Sequence, residues 1–368
     1  MKQICIVAGA RPNFMKVAPI IREMERVGLP YYLVNTGQHY DKNMAEIFFS
    51  ELAIPEPKYN LGVGSGSHAV QTASIMVAFE KVLMEEETSL VLVVGDINST
   101  LACSLTASKL HIPVAHVEAG LRSLDRSMPE EINRILTDSV SDFLFTHSPE
   151  ADVNLLREGV AEEKIFFVGN VMIDSLTFHL PEIEKSQILS TEALERKKYG
   201  LVTLHRPSNV DDPLVLYSIF EHLFKHSPDD FVLFFPIHPR TRNRIEAHAE
   251  LQTLLKEHSQ KIRFVEPLGY YDFQCLLKNA LFVLSDSGGV QEEALMYDVP
   301  CALLRENTER NVCVTLGTTE LISATRLGEI LSSIFAGEWK KTVRIPELWD
   351  GKAAERIVEI LGNVNAKF

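Results

Sequence analysis

The chain has 368 residues, with 36 Lys plus Arg against 50 Asp plus Glu and a formal charge of -14, so nucleic-acid binding would need a basic patch, and the sequence contains none. Cys5, Cys103, Cys275, Cys301 and Cys313 are scattered singly, without paired-cysteine or Cys/His spacing, so reduced thiols and no metal site are expected. The apolar run after Met1-Lys2-Gln3 is too short for a signal sequence and no stretch approaches transmembrane length, so the expectation is a cytoplasmic protein without membrane attachment.

The length suits about two to three domains. Ile4 to Ala8 predicts a strand, broken at Gly9-Ala-Arg-Pro-Asn-Phe14 and followed by an amphipathic helix from Met15 to Arg26. Tyr31 to Asn35 predicts a second strand, ending in Thr36-Gly-Gln-His39. Leu90 to Val94 runs into Gly95-Asp96, Val114 to Val117 into Glu118-Ala-Gly120, and Phe143 to Thr146 follows a helix. After Ile165-Phe-Phe-Val-Gly-Asn170, a mostly polar helical stretch through Lys198 resembles a connection between domains. The alternation then restarts. Leu201 to Leu204 ends in His205-Arg206, Phe231 to Phe235 ends near His238, Phe264-Val265 precedes Pro267-Leu-Gly269, and Phe282 to Leu284 leads into Ser285-Asp-Ser-Gly-Gly289 and a new helix. Apolar strands alternating with helices imply an α/β protein, its parallel sheets covered on both faces. No G-x-G-x-x-G follows the first strand, and Gly64-Ser-Gly66 is an isolated match in a loop, which disfavours a nicotinamide site.

The polar residues of interest lie just beyond the carboxyl ends of predicted strands, where open α/β sheets bind ligands. Gly288 and Gly289 allow close approach of backbone to a ligand, the following helix offers unpaired N–H groups, and Ser287 adds a hydroxyl, a combination suited to phosphate. Glu292 and Glu293 open that helix, where one can accept from a ribose diol; the competing reading is an ordinary capped turn with acids at the helix dipole. Arg11, Lys16, His39, Arg122, His205, Arg206, His238 and Arg310 gather at strand ends, as an acidic protein binding a diphosphate requires, although each alone also reads as a solvated charge or scaffold residue. Asp96 and Glu118 end strongly apolar strands, where a carboxylate is costly unless partnered or used. Pro129-Glu130-Glu131 opens a helix; Glu131 reads as a helix-dipole residue and Glu130 as the one able to face a ligand. Three carboxylates near a sugar suit proton transfer on opposite faces of a ring.

These motifs together resemble the non-hydrolysing UDP-N-acetylglucosamine 2-epimerases. The matching segments are Gly9-Ala-Arg-Pro-Asn-Phe-Met-Lys16, Thr36-Gly-Gln-His39, Gly95-Asp96, His116-Val-Glu-Ala-Gly-Leu-Arg122, Pro129-Glu-Glu-Ile-Asn-Arg134, Thr203-Leu-His-Arg206, Ser285-Asp-Ser-Gly-Gly-Val-Gln-Glu-Glu293 and Thr308-Glu-Arg310, in family order over nearly the whole chain. The resemblance implies the glycosyltransferase B architecture: two Rossmann-like domains facing a cleft, residues 1–172 and a UDP-binding 173–351, with a last helix within 352–368 packed back on the first. It implies reversible inversion at C2 of UDP-GlcNAc to UDP-ManNAc for surface polysaccharide, through elimination of UDP to 2-acetamidoglucal and re-addition, with no redox cofactor, by a homodimer.

By motif, the resemblance gives Asp96, Glu118 and Glu130 to proton transfer and ring-charge stabilisation, and His205 to the leaving phosphate. Arg11, Ser287 and Gly288, beside Gly289, would contact the diphosphate, Glu293 the ribose, the Phe273 backbone the uracil, and Arg310 and His238 the UDP; Lys16 and Arg122 complete the cationic set. Gln38, His39, Gln71 and Arg206 match parts of a second UDP-GlcNAc site that activates some members. The chain departs from the family in a segment after Leu121 two residues shorter than in the best-known bacterial members, in Pro207-Ser-Asn209 after His205-Arg206, and in Asn311 after Thr308-Glu-Arg310. Competing readings are a 2-epimerase of a UDP-2,3-diacetamido-2,3-dideoxy uronic acid, a glycosyltransferase on the same fold, and a silent nucleotide-sugar sensor.

Overall fold

The computed structural model describes residues 2–37, 54–339 and 343–365. They form two compact units, Met1–Phe178 with Glu347–Phe368, and His179–Pro346.

The first unit alternates β1 (Gln3–Ala8), α1 (Arg11–Val27), β2 (Tyr31–Asn35), β3 (Tyr59–Asn60), α2 (His68–Glu85), β4 (Thr88–Val94), α3 (Asn98–Lys109), β5 (Val114–Val117), α4 (Pro129–Val140), β6 (Phe143–Thr146), α5 (Pro149–Arg157) and β7 (Ile165–Phe167). The strands make one parallel sheet in the order β3-β2-β1-β4-β5-β6-β7. Ile4–Ala8 and Leu90–Val94 are buried throughout, because helices cover both faces of a parallel sheet. Cys5, Val7, Val34, Val91 and Val93 pack there with Ile75 and Phe79 of α2 and Ala107 of α3.

Helix α1 begins at Arg11, four residues before the apolar periodicity starts, because Pro12 occupies a first-turn position that needs no N–H partner. Gly28 ends it in the left-handed region at φ 73°, which a Cβ would strain. Beyond β7 comes α6 (Val171–Lys185), in the stretch read from sequence as mostly polar, yet its Ile173, Leu176 and Ile183 are buried.

The second unit follows with β8 (Tyr199–Thr203), α7 (Pro207–Val210), α8 (Pro213–His226), β9 (Val232–Pro236), α9 (Pro239–Glu246), α10 (Ala249–Glu257), β10 (Ile262–Val265), α11 (Tyr270–Asn279), β11 (Phe282–Ser285), α12 (Val290–Met296), β12 (Cys301–Leu304), β13 (Thr319–Ile322) and α13 (Leu327–Phe335). Its parallel sheet runs β10-β9-β8-β11-β12-β13. Phe220, Phe235, Phe282, Leu284 and Leu331 lie in its core. The expected fold class, α/β with two Rossmann-like parallel sheets, is the one observed; β12 and β13 go beyond the expected strands, since the four apolar residues of β12 do not by themselves separate strand from helix and β13, Thr319-Glu-Leu-Ile322, is not an apolar run.

The last helix, α14 (Ala353–Asn365), belongs to the first unit. The Asp174 carboxylate accepts the N–H groups of Ala353 and Ala354 at 3.1 and 2.7 Å, and Trp349 Nε1 donates to the His147 carbonyl at 2.9 Å. Within each sheet the strand order reverses once, between β1 and β4 and between β8 and β11. Crevices beyond those strand ends are where such sheets accept ligands.

Candidate active site

In the first unit, register brings the two strand-end carboxylates side by side. Val94 of β4 pairs with Val117 of β5, and Gly95 donates to the Val117 carbonyl at 3.0 Å, so Asp96 and Glu118 leave adjacent strands together. Gly95 turns out at φ 67°, and a Cβ there would sit 2.9 Å from Lys16 Nζ and 3.9 Å from Glu118 Oε2. Glu118 adopts φ 69° as well, a strained region for a residue with a Cβ, of the kind concentrated at functional sites. Lys16, on α1, places its ammonium 2.5 Å from Glu118 Oε2, with both residues buried. Asp96 remains partly exposed and pairs with Arg134 Nη1 from α4. Glu130 is half-buried in the first turn of α4.

Glu131 does more than favour a helix dipole. It is 1% exposed; its oxygens accept the N–H groups of Ser123 and Leu124 at 3.0 and 2.9 Å and the Arg134 Nε at 3.0 Å. It therefore ties the short segment after Leu121 to the arginine that holds Asp96. Arg122, read as a ligand-facing cation, points elsewhere. Its guanidinium makes a two-pronged pair with Glu158 at 2.8 and 2.6 Å, reaches Asp138 at 2.8 Å and donates to the Leu121 carbonyl. Burial works against that charge, but Glu158 and Asp138 outweigh it and raise the guanidinium pKa. Asp138 also takes His116 Nδ1 at 2.6 Å and the Gly120 N–H at 3.0 Å; despite burial, His116 and Arg122 hold its carboxyl below the usual range. His116 Nε2 lies 2.8 Å from the Gly95 carbonyl, so this buried chain braces the turns bearing Asp96 and Glu118.

Gln71 is tied to the Gly64 carbonyl at 2.8 Å and accepts from Asn98 Nδ2 at 2.8 Å. Arg11 starts α1, and nothing further is described of its side chain; Gln38 and His39 lie outside the described residues.

In the second unit, Ser285 pairs with Thr203, so the segments that follow β11 and β8 emerge together. Asp286 joins them. Its buried carboxylate accepts the N–H groups of His205 and Arg206 at 3.0 and 2.9 Å and Asn209 Nδ2 at 3.1 Å, with His205 Nδ1 3.1 Å away. Burial opposes ionisation, but His205 and these donors keep its pKa below the ordinary value. The rings of His205 and His238 are 5.6 Å apart. His238 caps α9 by accepting the Arg240 N–H on Nδ1 at 3.1 Å, and burial, then His205 and Arg240, lower its pKa.

The Ser-Gly-Gly turn is shaped by what lies behind it. A Cβ on Gly288 would meet Glu309 Oε1 at 2.8 Å and Arg310 Nη1 at 3.0 Å, whereas one on Gly289 would meet nothing within 4 Å. Arg310 is buried against Glu309 and lies 3.0 Å from Glu292, and Glu309 also takes Arg305 Nη2 at 2.9 Å. Ser287 is half-buried, its N–H held by Ser285 Oγ at 3.0 Å. Glu293 is buried beside Tyr270 and Tyr297; burial first, then its charge, raises both phenols. Phe273 lies in the first turns of α11, its N–H engaged by the Gly269 carbonyl at 3.1 Å.

The structure thus gathers Asp96, Glu118, Lys16 and Arg134 at one sheet's switch point, and His205, Arg206, His238 and the Ser287–Gly289 turn with Arg310 at strand ends of the other. Sequence reasoning passed over Asp286, Asp138, Glu309 and Arg305. Asp286 carried the very signal that singled out Asp96 and Glu118, an acid directly after an apolar strand. Among the described residues no cluster of His, Cys, Asp or Glu suits a metal ion, and no helix is long and apolar enough to cross a membrane.

Comparison with known proteins bears on this arrangement. The family model described as UDP-N-acetylglucosamine 2-epimerase matches residues 22–362. The UDP-N-acetylglucosamine 2-epimerase of Methanocaldococcus jannaschii is 44% identical over 363 residues, 98% of each chain. The UDP-2,3-diacetamido-2,3-dideoxy-D-glucuronate 2-epimerase of Pseudomonas aeruginosa is 41% identical over 366 residues, 98% of this chain and all of that one. A crystal structure of the M. jannaschii UDP-GlcNAc 2-epimerase in complex with UDP-GlcNAc and UDP superposes with a TM-score of 0.87 at 45% identity, over 99% of this chain and 100% of that one. The chain belongs to the UDP-N-acetylglucosamine 2-epimerase family and is an isomerase.

Proposed function

We propose that the protein interconverts UDP-GlcNAc and UDP-ManNAc by eliminating UDP to 2-acetamidoglucal and adding it back with protonation on the opposite face. The C2 proton has no adjacent carbonyl, so a carboxylate base cannot generate a stable carbanion; cleavage of the C1–O bond must carry the step. The observation that supports this most is the set of carboxylates of the first unit, with Asp96 and Glu118 leaving neighbouring strands, each held by a buried cation. Asp96, Glu118 and Glu130 take proton transfer and the positive charge that develops on the ring. His205 holds the leaving diphosphate, with Arg11, Ser287, Gly288, Gly289, His238 and Arg310 around the UDP, Glu293 at the ribose and Phe273 at the base. Lys16 acts through Glu118. A cytoplasmic role in supplying activated ManNAc for surface polysaccharide completes the reading.

The test is NMR of the purified protein with UDP-GlcNAc in D2O. UDP-ManNAc deuterated at C2 is the expected product. Free ManNAc with UDP would mean hydrolysis instead, and release of UDP only when a sugar acceptor is present would mean a transferase. Asp96→Asn is expected to keep UDP binding and lose turnover.

A second reading has support in the 41% identity to the diacetamido-glucuronate epimerase. Its substrate adds a carboxylate at C6, so the two sugar nucleotides, compared for turnover at equal concentration, separate the readings. The proposed assembly is a homodimer, supported by an apolar stripe on α2, where Val70, Val77 and Met84, seven residues apart, are 62%, 61% and 74% exposed.

A further inference from the structure

Asp286 is fully buried, yet against the effect of burial His205 and the surrounding donors hold its carboxyl below the usual range. Its carboxylate fixes the backbone of the turn after β8 through two N–H groups and holds Asn209, which also donates to the Leu304 carbonyl at 3.0 Å. These contacts would serve a purely structural clasp. The remaining contact is different: His205 Nδ1 stands 3.1 Å from Oδ1, while the imidazole is 40% exposed. A carboxylate facing Nδ1 selects the tautomer with the proton on Nδ1 and leaves Nε2 as the nitrogen that can gain and lose one. The neighbouring His238 is set the other way, because its Nδ1 accepts the Arg240 N–H and its own proton must therefore sit on Nε2. Of the two adjacent imidazoles, His205 alone faces a buried carboxylate.

We propose that Asp286 is a positioning residue for the reaction: it keeps the proton of His205 on Nδ1, so that Nε2 can give a proton to the departing diphosphate and take it back. This rests on the epimerase reading. As the C1–O bond breaks, its electron pair goes to the diphosphate oxygen, which receives the Nε2 proton; the C2–H electrons form the C1=C2 bond and the C2 proton passes to a carboxylate. Re-addition returns every proton and electron pair, with C2 protonated from the other face. Neutral His205 between the two half-reactions is the Nδ1–H tautomer that Asp286 favours.

The decisive variant is Asp286→Asn. Its amide oxygen can still accept from the turn, but its NH2 group then faces Nδ1 and enforces the opposite tautomer. Selective 15N-imidazole NMR of the free protein at alkaline pH should find neutral His205 protonated on Nδ1 in the wild type and on Nε2 in the variant. Turnover of UDP-GlcNAc should fall by about 100-fold or more in kcat, with KM and UDP affinity within about threefold. A wild-type His205 protonated on Nε2, an unchanged kcat, or a kcat loss matched by loss of UDP binding and thermal stability would each overturn the proposal. Should the variant fail to fold, the wild-type tautomer decides alone. If the wild type turns over no UDP-sugar, the epimerase reading falls, while the tautomer measurement still reports on the Asp286–His205 pair.

Discussion

The ammonium of Lys16 and the carboxylate of Glu118 lie 2.5 Å apart, 102 positions apart in the chain, with side chains only 7% and 4% exposed. Removing one partner strands the other charge out of water, at a cost of about 3–5 kcal/mol, whereas removing both avoids most of that penalty. Lys16→Met should therefore lower the denaturation midpoint more than Lys16→Met combined with Glu118→Gln. The double variant should remain inactive, since restored folding does not restore a carboxylate. A double variant no more stable than Lys16→Met would show that the two charges are not energetically coupled.

Gly288 and Gly289 make a matched pair of probes. Alanine at 288 would drive its Cβ into the Glu309–Arg310 pair, while alanine at 289 enters open space at a helix-compatible φ of -68°. Displacing a buried charged contact costs about 1–3 kcal/mol, which as lost affinity is about 5- to 150-fold. Calorimetric titration with UDP should thus find Gly288→Ala weakened and Gly289→Ala folded with its melting temperature little changed. Equal UDP affinity for Gly288→Ala and the wild type would remove Arg310 from the proposed UDP contacts.

Strand ends were legible in the sequence because strands buried on both faces read as unbroken apolar runs, and an acid or glycine closing such a run stands out, as at Gly95-Asp96 and Glu118. Partners were not. Arg122 looks like an available cation until Glu158, 36 residues later, and Asp138 occupy its donors. Glu131 looks like a dipole residue until the chain folds Ser123 and Leu124 onto it. Both facts belong to tertiary structure, where the cost of burying a charge selects its neighbours, and no local spacing encodes them. The short segment after Leu121 was visible as a departure from the family, but not that Glu131 anchors it.

The α2 stripe gives the proposed homodimer a physical test. A symmetric pair of helices can bury Val70, Val77 and Met84 against each other, and a charge at the centre of that contact cannot be buried unpaired. Val77→Asp lies on an exposed helix surface, so folding should be kept while light scattering after gel filtration falls from the dimer to the monomer mass. A wild type already monomeric at micromolar concentration would dispose of the homodimer, and a dimeric Val77→Asp would move the interface off this stripe.

Asp174 should make the anchoring of the last helix depend on pH. Burial pushes its carboxyl up to about 6, against the lowering effect of the Ala354 and Ala353 N–H groups it caps. Since the folded value lies above the unfolded one of about 3.9, the folded protein holds more protons between them, and this group's contribution is full below about pH 4 and lost as pH rises through 6. A gap of about two units corresponds to about 3 kcal/mol at most. Asp174→Asn removes the titration but keeps one acceptor for the helix. Unfolding free energies measured from pH 4 to pH 7 should therefore show the variant gaining on the wild type as pH rises, by about 2–3 kcal/mol over the range. A constant difference across that range would mean that the carboxylate is stabilised by its two N–H donors as fully as by water, and that α14 is held without any cost from burying its charge.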